Sequence, residues 1–326
     1  MHLVVLTPIL NDWVSAREIL RQLDDTFASR TETVSVLLVD DGSTQLPPSG
    51  FGQDAYATLR SIEILKLQKN LGHQRAIAVG LCHIVDKIPC DAVVVMDSDG
   101  EDAPTDVPRL ADRLAELNRD ENPAQPLVFA ERTRRSESFR FQFGYLVYRL
   151  LHVLLTGRGI RFGNFSIVPH SRLGALTIDP MLWNHYAASV VGSRLPFTTI
   201  PTHRGKRIAG KSHHSYLSLI VHGLSALSCY NDIIGVRLLA ASSILFVVSV
   251  AGLLVTIGLR LGTDIPIHGW TSVFAGLISI FLLQLITLAS NFTLQIMSAR
   301  GAQPFLPRRD YVWYVEDLKS IFSRPV

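Results

Sequence analysis

The sequence predicts an α/β protein: a mostly parallel sheet covered by helices on both faces, followed by a hairpin of two transmembrane helices. Three observations predict it. Short apolar runs and segments of helical period alternate five times between His2 and Arg132, the pattern of a parallel sheet buried on both sides. Four of those runs end in, or are followed by, Asp or Asn, so polar groups gather at one sheet edge. Two long charge-free stretches, Leu238 to Leu259 and Gly269 to Ala299, lie near the C-terminus.

Each element has its own signal. His2 to Leu10 is an apolar run that reads as a strand closed by Pro8 and Asn11. Residues 13–28 repeat apolar side chains at helical spacing through Val14, Ile19, Leu20 and Leu23. Residues 34–44, VSVLLVDDGST, are a second buried strand ending in acid and Gly42. LRSIEILKL (59–67) is a third, followed by an Asn70-Leu71-Gly72 turn and a helix over 74–85 with small residues at Ala76, Ala78 and Gly80. CDAVVVMDSDG (90–100) is a fourth strand, 106–117 a helix, and PLVFAER (126–132) a further strand. The apolar segment 139–158 reads as a helix suited to the membrane surface, to a second copy in a homo-oligomer, or to the core. A short strand at 163–169, a helix at 179–190, a strand within 195–207 and an interfacial helix over 213–232 complete the soluble part.

Charged residues make up only 18% of the 326 residues and the mean hydropathy is +0.25, against about 25% charge in ordinary soluble domains. The deficit sits in the two C-terminal stretches. Each is long enough to cross a bilayer, which takes about 20 apolar residues, and too little chain remains to bury both as core helices. Gln284 inside the second stretch is tolerable if it faces the partner helix. Basic residues flank the pair: Arg204, Lys206, Arg207, Lys211 and Arg237 before it, Arg300, Arg308 and Arg309 after it. That bias predicts a multi-pass inner (plasma) membrane protein with the soluble α/β domain and both termini in the cytoplasm. The N-terminus carries no signal-peptide pattern. Three cysteines without metal-ligand spacing suit a reducing compartment. The pI near 8.8 fits anionic headgroups or phosphorylated substrates; no zinc-finger or RNA-binding signature is present, so no nucleic acid partner is expected.

The sharpest chemical feature is MDSDGEDAPTD (96–106). In extended chain, residues i and i+2 point the same way, so Asp97 and Asp99 can share one divalent ion. Alone, Asp-Ser-Asp is also what a turn uses. After VVVM, and beside Glu101, Asp102 and Asp106, the acids need a cation, and hard oxygen donors suit Mg²⁺ or Mn²⁺ bridging to substrate phosphates. Asp40 or Asp41 can accept from a base or ribose. Asn70 and Gly72 stand on the same edge. Arg132, Arg204, Arg207 and Lys211 are candidates for binding phosphate, and His73, His203, His213 and His214 for donating to it. Neither a dinucleotide G-x-G-x-x-G nor a P-loop is present, and no Ser-His-Asp or Cys-His set can be read.

TPILN, LLVDDGS, KNLGHQRAIAVG, VVMDSDGEDAPTDVPRL and HRGKRIAGKS, in this order and ahead of two spans, resemble the family 2 glycosyltransferases. Among these the chain is most similar to the polyisoprenyl-phosphate glycosyltransferases, the group that includes dolichol-phosphate mannose synthase and the bactoprenol glucosyltransferases. The resemblance implies a GT-A fold, a Rossmann-like, mostly parallel sheet that binds nucleoside-diphosphate sugars. It places Pro8 and Asn11 at the first nucleotide-contacting turn, Asp41 at the base or ribose, and Asn70 and Gly72 in the N-x-G turn. It gives Asp97 and Asp99 the metal and diphosphate, Asp102 a place near acceptor and sugar, and Arg204, Arg207, Gly210 and Ser212 the phosphate-binding segment, beside Lys211. Three positions depart from the family pattern: Glu101 stands for the usual Gln, Asn164 for an acid, and His213 for the Lys after Ser212. The Q-x-x-R-W element of processive synthases is absent.

The expected organisation is a cytosolic catalytic domain over 1–212, a juxtamembrane helix over 213–236, spans near 238–259 and 269–292, and a C-terminal tail over 300–326. The expected reaction is inverting, metal-dependent glycosyl transfer from a nucleoside-diphosphate sugar to a polyprenyl phosphate at the lipid bilayer. The alternative acceptor is a hydroxyl of a membrane glycolipid or cell-envelope glycan precursor. With a phosphate acceptor Asp102 orients; with a hydroxyl it becomes the base.

Overall fold

A computed structural model describes residues 1–119, 125–132, 150–157, 162–203, 205, 207–208, 223–262, 269–301 and 305–324. The chain divides into two compact units. The first comprises Met1–Leu146, Gly159–Cys229 and Phe305–Val326; the second comprises Val147–Arg158 and Tyr230–Pro304.

The first unit follows the alternation read from the sequence. Strand β1 (His2–Ile9) leads to helix α1 (Trp13–Thr26), then β2 (Thr33–Asp40) and β3 (Leu59–Leu67). Helix α2 (His73–Lys87), β4 (Ala92–Val95), α3 (Val107–Arg119) and β5 (Leu127–Arg132) follow. Then come β6 (Ser166–Pro169), α4 (His170–Thr177), α5 (Tyr186–Gly192), β7 (Phe197–Thr202) and, at the end of the chain, β8 (Val315–Ser323). The sheet runs β7-β5-β6-β4-β1-β2-β3-β8. Four of its seven pairings are parallel, and β6 and β8 supply the antiparallel ones.

The period of two along each strand divides the core. Leu3, Val5, Val36, Leu38, Ile62 and Ile64 pack toward α1 and α3. Val4, Leu6, Leu37, Val39 and Leu65 pack toward α2, α4 and α5. Gly80 lets α2 approach the sheet, because a Cβ there would meet Leu6 and Val39. Without that approach the N-terminus of α2 would stand away from the strand ends.

Several elements differ from the sequence reading. The fourth strand stops at Val95, since the chain turns at once into the acidic segment. The helix expected over 179–190 is a 3-10 turn at Pro180–Trp183 followed by α5, broken where His185 caps the N-terminus of α5 and accepts from Ala188 N–H. Helix α4, directly after β6, was not expected. Nor was β8, because residues 300–326 read as a tail. VEDLKSIFS lacks strand alternation, and its middle is exposed; pairing with β3 supplies what its own pattern does not.

In the second unit, helices α6 (Asn231–Gly262) and α7 (Trp270–Gly301) are long and apolar enough to cross a membrane. They pack against one another through small and hydroxyl residues: Gly252 lies at Ile278, and Ser242 and Thr256 are buried. Most large side chains on both helices are exposed, among them Ile244, Val247, Leu254, Val273 and Leu283. Gln284 is exposed rather than turned inward, and Leu285 takes the buried position. Of the expected helix over 139–158, residues 150–156 are described and helical; of that over 213–232, residues 223–228 and 231–232 are, with a turn between them.

Candidate active site at the carboxyl edge of the sheet

The carboxyl ends of β1, β2 and β4 lie side by side, since Ile9 pairs with Asp40 and Leu6 with Val95. In open α/β sheets this is the edge where ligands bind. Asn11 turns the chain there with a φ of +60°, a conformation Asn tolerates better than most residues. Its N–H donates to Ser43 Oγ at 2.9 Å, and its Oδ1 accepts from the N–H groups of Thr44 (3.0 Å) and Gln45 (2.9 Å). Asn11 is thus a clamp that fixes the loop after β2. Pro8 sits inside β1, buried and opposite Val39.

Asp40 and Asp41 are both buried and divide the work of shaping that loop. Asp40 Oδ1 accepts from Ser43 N–H at 2.8 Å. Asp41 receives Leu71 N–H on one oxygen (2.7 Å) and Gly72 N–H on the other (2.9 Å), which binds β2 to the start of α2. Burial raises the Asp41 pKa despite those two donors and the nearby His73. Gly42 is required between the two loops: its φ is +73° and a Cβ would lie 2.6 Å from Asn70 N. Asn70 is exposed beside it.

The acidic segment after β4 is held from within and from outside. Asp97 N–H donates to Asp102 Oδ2 at 3.0 Å, and Glu101 N–H to Asp99 Oδ1 at 2.9 Å. Asp102 is buried and buttresses the turn. Gly205, Arg207 and Ile208 lie along it: Gly205 N–H donates to Glu101 O at 2.8 Å and Ile208 N–H to Asp99 O at 2.9 Å. That docking brings Arg207 Nη2 to 2.8 Å from Asp99 Oδ2, and the carboxylate raises the Arg207 pKa further. A Cβ at position 205 would strike Gly100 O. Arg204, Lys211 and Ser212 lie outside the described residues, as does the side chain of Arg132.

Asp97 faces the other way, toward the first residue of α2. His73 Nε2 stands 3.0 Å from Asp97 Oδ1 and 3.1 Å from the Asn164 side-chain nitrogen. Burial lowers the His73 pKa, but Asp97, with Asp102 and Asp41 beyond, raises it more. Gln74 extends the link, donating to Asn164 Oδ1 at 3.3 Å and accepting from Tyr186 N–H at 2.8 Å. A pocket beside the acids is lined by Glu101, Asp102, Gly163, Phe165, Thr202 and His203, with Ala130 at its floor side.

The structure therefore gathers Asn11, Asp41, Gly72, Asp97, Asp99, Asp102 and Arg207 around one edge. Sequence reasoning missed the clamp made by Asn11, the Gln74–Asn164 link, and Thr202 and Phe165 in the pocket. The one signal for them was position: Asn164 stands where the resembled family has an acid. Among the described residues, no three His, Cys, Asp or Glu side chains are grouped to hold a metal by themselves.

Comparison with known proteins agrees with this architecture. An undecaprenyl-phosphate 4-deoxy-4-formamido-L-arabinose transferase of Klebsiella pneumoniae (strain 342) is 26% identical over 226 residues, 66% of this chain and 63% of that protein. The chain thus spans less than two thirds of that relative's length. The crystal structure of a mycobacterial protein superposes with a TM-score of 0.51 at 15% identity, covering 72% of this chain and 75% of the other; the likeness is one of fold. Glucosyl-3-phosphoglycerate synthase of Mycobacterium tuberculosis, crystallised with Mn²⁺, UDP-glucose and glycerol 3-phosphate, aligns at a TM-score of 0.46 and 17% identity over 72% of this chain and 80% of its own. The model of glycosyl transferase family 2 matches residues 4–169, the stretch from β1 through β6 that carries the paired loops and the acidic turn. This chain belongs to glycosyl transferase family 2.

Proposed function

We propose that this glycosyltransferase moves a sugar from a nucleoside diphosphate to a polyprenyl phosphate, with inversion, at the inner face of the plasma membrane. The observation that carries the reading is the turn Asp97–Asp102 with Arg207 docked onto it, at the ligand edge of a family 2 fold, in a chain that also has two exposed apolar helices. The name of the Klebsiella relative specifies a polyprenyl phosphate acceptor, which supports the same acceptor here.

The residues present suit a divalent ion. Asp97 and Asp99 offer hard oxygen donors, and Mg²⁺ commonly combines one or two carboxylates with substrate phosphates and water. Bound there, Mg²⁺ or Mn²⁺ would neutralise the diphosphate as it leaves. The loops fixed by Asn11 and Asp41 form the floor for the nucleoside, with Asn70 and Gly72 at its side. Arg207 adds positive charge where the leaving group develops negative charge, and Arg204, Lys211 and Ser212 extend that segment in sequence.

In the reaction, an oxygen of the lipid phosphate bonds to the anomeric carbon from the face opposite the diphosphate. The bond to the diphosphate oxygen breaks and its electron pair leaves with the nucleotide. The attacking oxygen is already anionic at neutral pH, so no general base is needed. Asp102 then orients the turn, in keeping with its bond to Asp97 N–H.

Connectivity supports one-sided membrane attachment. The chain leaves the sheet unit before Asn231 and returns after Gly301 to add β8 to the same sheet. Two crossings are the smallest number that allows this, and the basic flanks support a cytoplasmic location for that side. The test is a screen of purified protein with nucleotide sugars and Mg²⁺ or Mn²⁺, with and without polyprenyl phosphate. Nucleoside diphosphate release that depends on both metal and lipid supports the reading; release with a glycan or diacylglycerol acceptor alone would redirect it to hydroxyl transfer.

A further inference from the structure

A second pocket, of mixed polar and apolar lining, lies at the opposite end of the sheet. It has a volume of ≈ 250 Å³ and opens between the amino ends of β1, β2 and β3 and the C-terminal turn of α2. Further along the same face the strands are apolar, through Val4 and Leu6, Leu37 and Val39, Leu65 and Leu67. At this end they carry His2, Ser35 and Ser61 instead. His2 Nε2 stands 3.0 Å from Ser35 Oγ, and Ser61 Oγ donates to Ser35 Oγ at 3.0 Å. Packing alone does not call for a chain of polar groups on the buried face of a sheet.

The pocket wall also holds Arg60, Lys87, His83 and Glu63. Arg60 and Lys87 are exposed and form no ion pair among the described residues. Both act on the histidines: burial and then Arg60 lower the His2 pKa, while burial and then Lys87 lower that of His83. His83 is only 7% exposed, and its Nε2 has no hydrogen-bond partner among the described residues. A buried imidazole nitrogen lacking a partner, on a residue that lines a pocket with two unpaired cations, calls for an explanation.

We propose that this pocket binds a phosphate group, as inorganic phosphate or a small phosphomonoester, at a site separate from the carboxyl edge. Arg60 and Lys87 supply charge, and the histidines and serines supply hydrogen bonds. Glu63, the one carboxylate among the residues lining the pocket, accepts the O–H of a hydrogen phosphate or of a phosphomonoester monoanion; sulfate at neutral pH has no such proton.

The test uses the full-length protein in detergent, titrated with inorganic phosphate, glycerol 1-phosphate and sulfate, and read by calorimetry and thermal shift. Working in an Arg207→Gln background keeps phosphate binding at the carboxyl edge from dominating the signal. The expected result is saturable binding of at least one phosphate compound, tighter than sulfate. It weakens at least ~10-fold in Arg60→Gln/Lys87→Gln, and the preference over sulfate is lost in Glu63→Gln. Arg60 and Lys87 are exposed, and the Glu63→Gln arm reads selectivity rather than stability, so a folding defect cannot stand in for either outcome. Absence of saturable phosphate binding, or equal affinity in the double variant, would overturn the proposal.

Discussion

Asp99 divides one carboxylate between two partners, Glu101 N–H and the Arg207 guanidinium, and this makes it the residue most exposed to test. Asp99→Asn keeps the shape but weakens the pull on Arg207 and removes the carboxylate proposed to meet the metal. The expected loss of turnover is ~10²-fold or more, with the thermal midpoint near that of the parent. Gly42→Ala should act in the opposite sense, on stability first. It forces a left-handed φ on a side chain whose Cβ meets Asn70 N at 2.6 Å, so chemical denaturation should show a loss of at least ~2 kcal/mol. At this scale the acidic turn was legible as a polar turn after an apolar strand, whereas the pairing of Asp99 with Arg207 and of Asp97 with His73 was not, because both partners lie far away in sequence. Asn11 was legible as a position and not as a clamp, because its partners at Ser43, Thr44 and Gln45 lie more than thirty residues away.

Elements are fixed by contacts that sequence periodicity does not carry. Asp24, at the end of α1, is buried and accepts from the N–H groups of Ala57, Thr58 and Leu59 and from Thr58 Oγ1. It thereby anchors the entry to β3. Burial would raise its pKa, but the four donors outweigh it and the pKa lies below the ordinary 3.8. Its stabilisation is therefore complete above about pH 4 and is lost as the pH falls through the depressed folded-state value. Asp24→Asn should cost about 1–3 kcal/mol at pH 7, and urea titrations should show that the deficit shrinks below pH 4. β8 was illegible for a related reason: its partner β3 lies some 250 residues earlier, and its exposed middle erases the alternation. A stop codon after Tyr314 should leave β3 as an open edge. The expected outcome is aggregation on size-exclusion chromatography, even though both apolar helices and every residue of the acidic turn remain.

For the molecule as a whole, the alternation of strands and helices was enough to give a parallel sheet and its ligand edge. The antiparallel insertion of β6 between β4 and β5 was not, since β6 is four residues long and follows a segment with no strand period. The two apolar helices were legible from charge-free length alone, and their exposed Ile, Val, Leu and Phe side chains require a non-aqueous surround. The protein should stay in the membrane pellet through a high-pH carbonate wash. A Leu261→Cys variant, at the far end of α6, should react with a membrane-impermeant maleimide added outside intact cells, whereas Leu46→Cys, exposed in the sheet unit, should react only after lysis. The reverse pattern would place catalysis on the other face.

The central claim is that the sugar ends on a lipid phosphate. The direct measurement is mass spectrometry of the lipid formed by the purified protein from a nucleotide sugar and polyprenyl phosphate. The expected product is the polyprenyl phosphate bearing one sugar through a phosphodiester, formed by the parent and lost in Asp99→Asn. A sugar found only on a hydroxyl acceptor, with polyprenyl phosphate returned unmodified for every donor, would contradict the account.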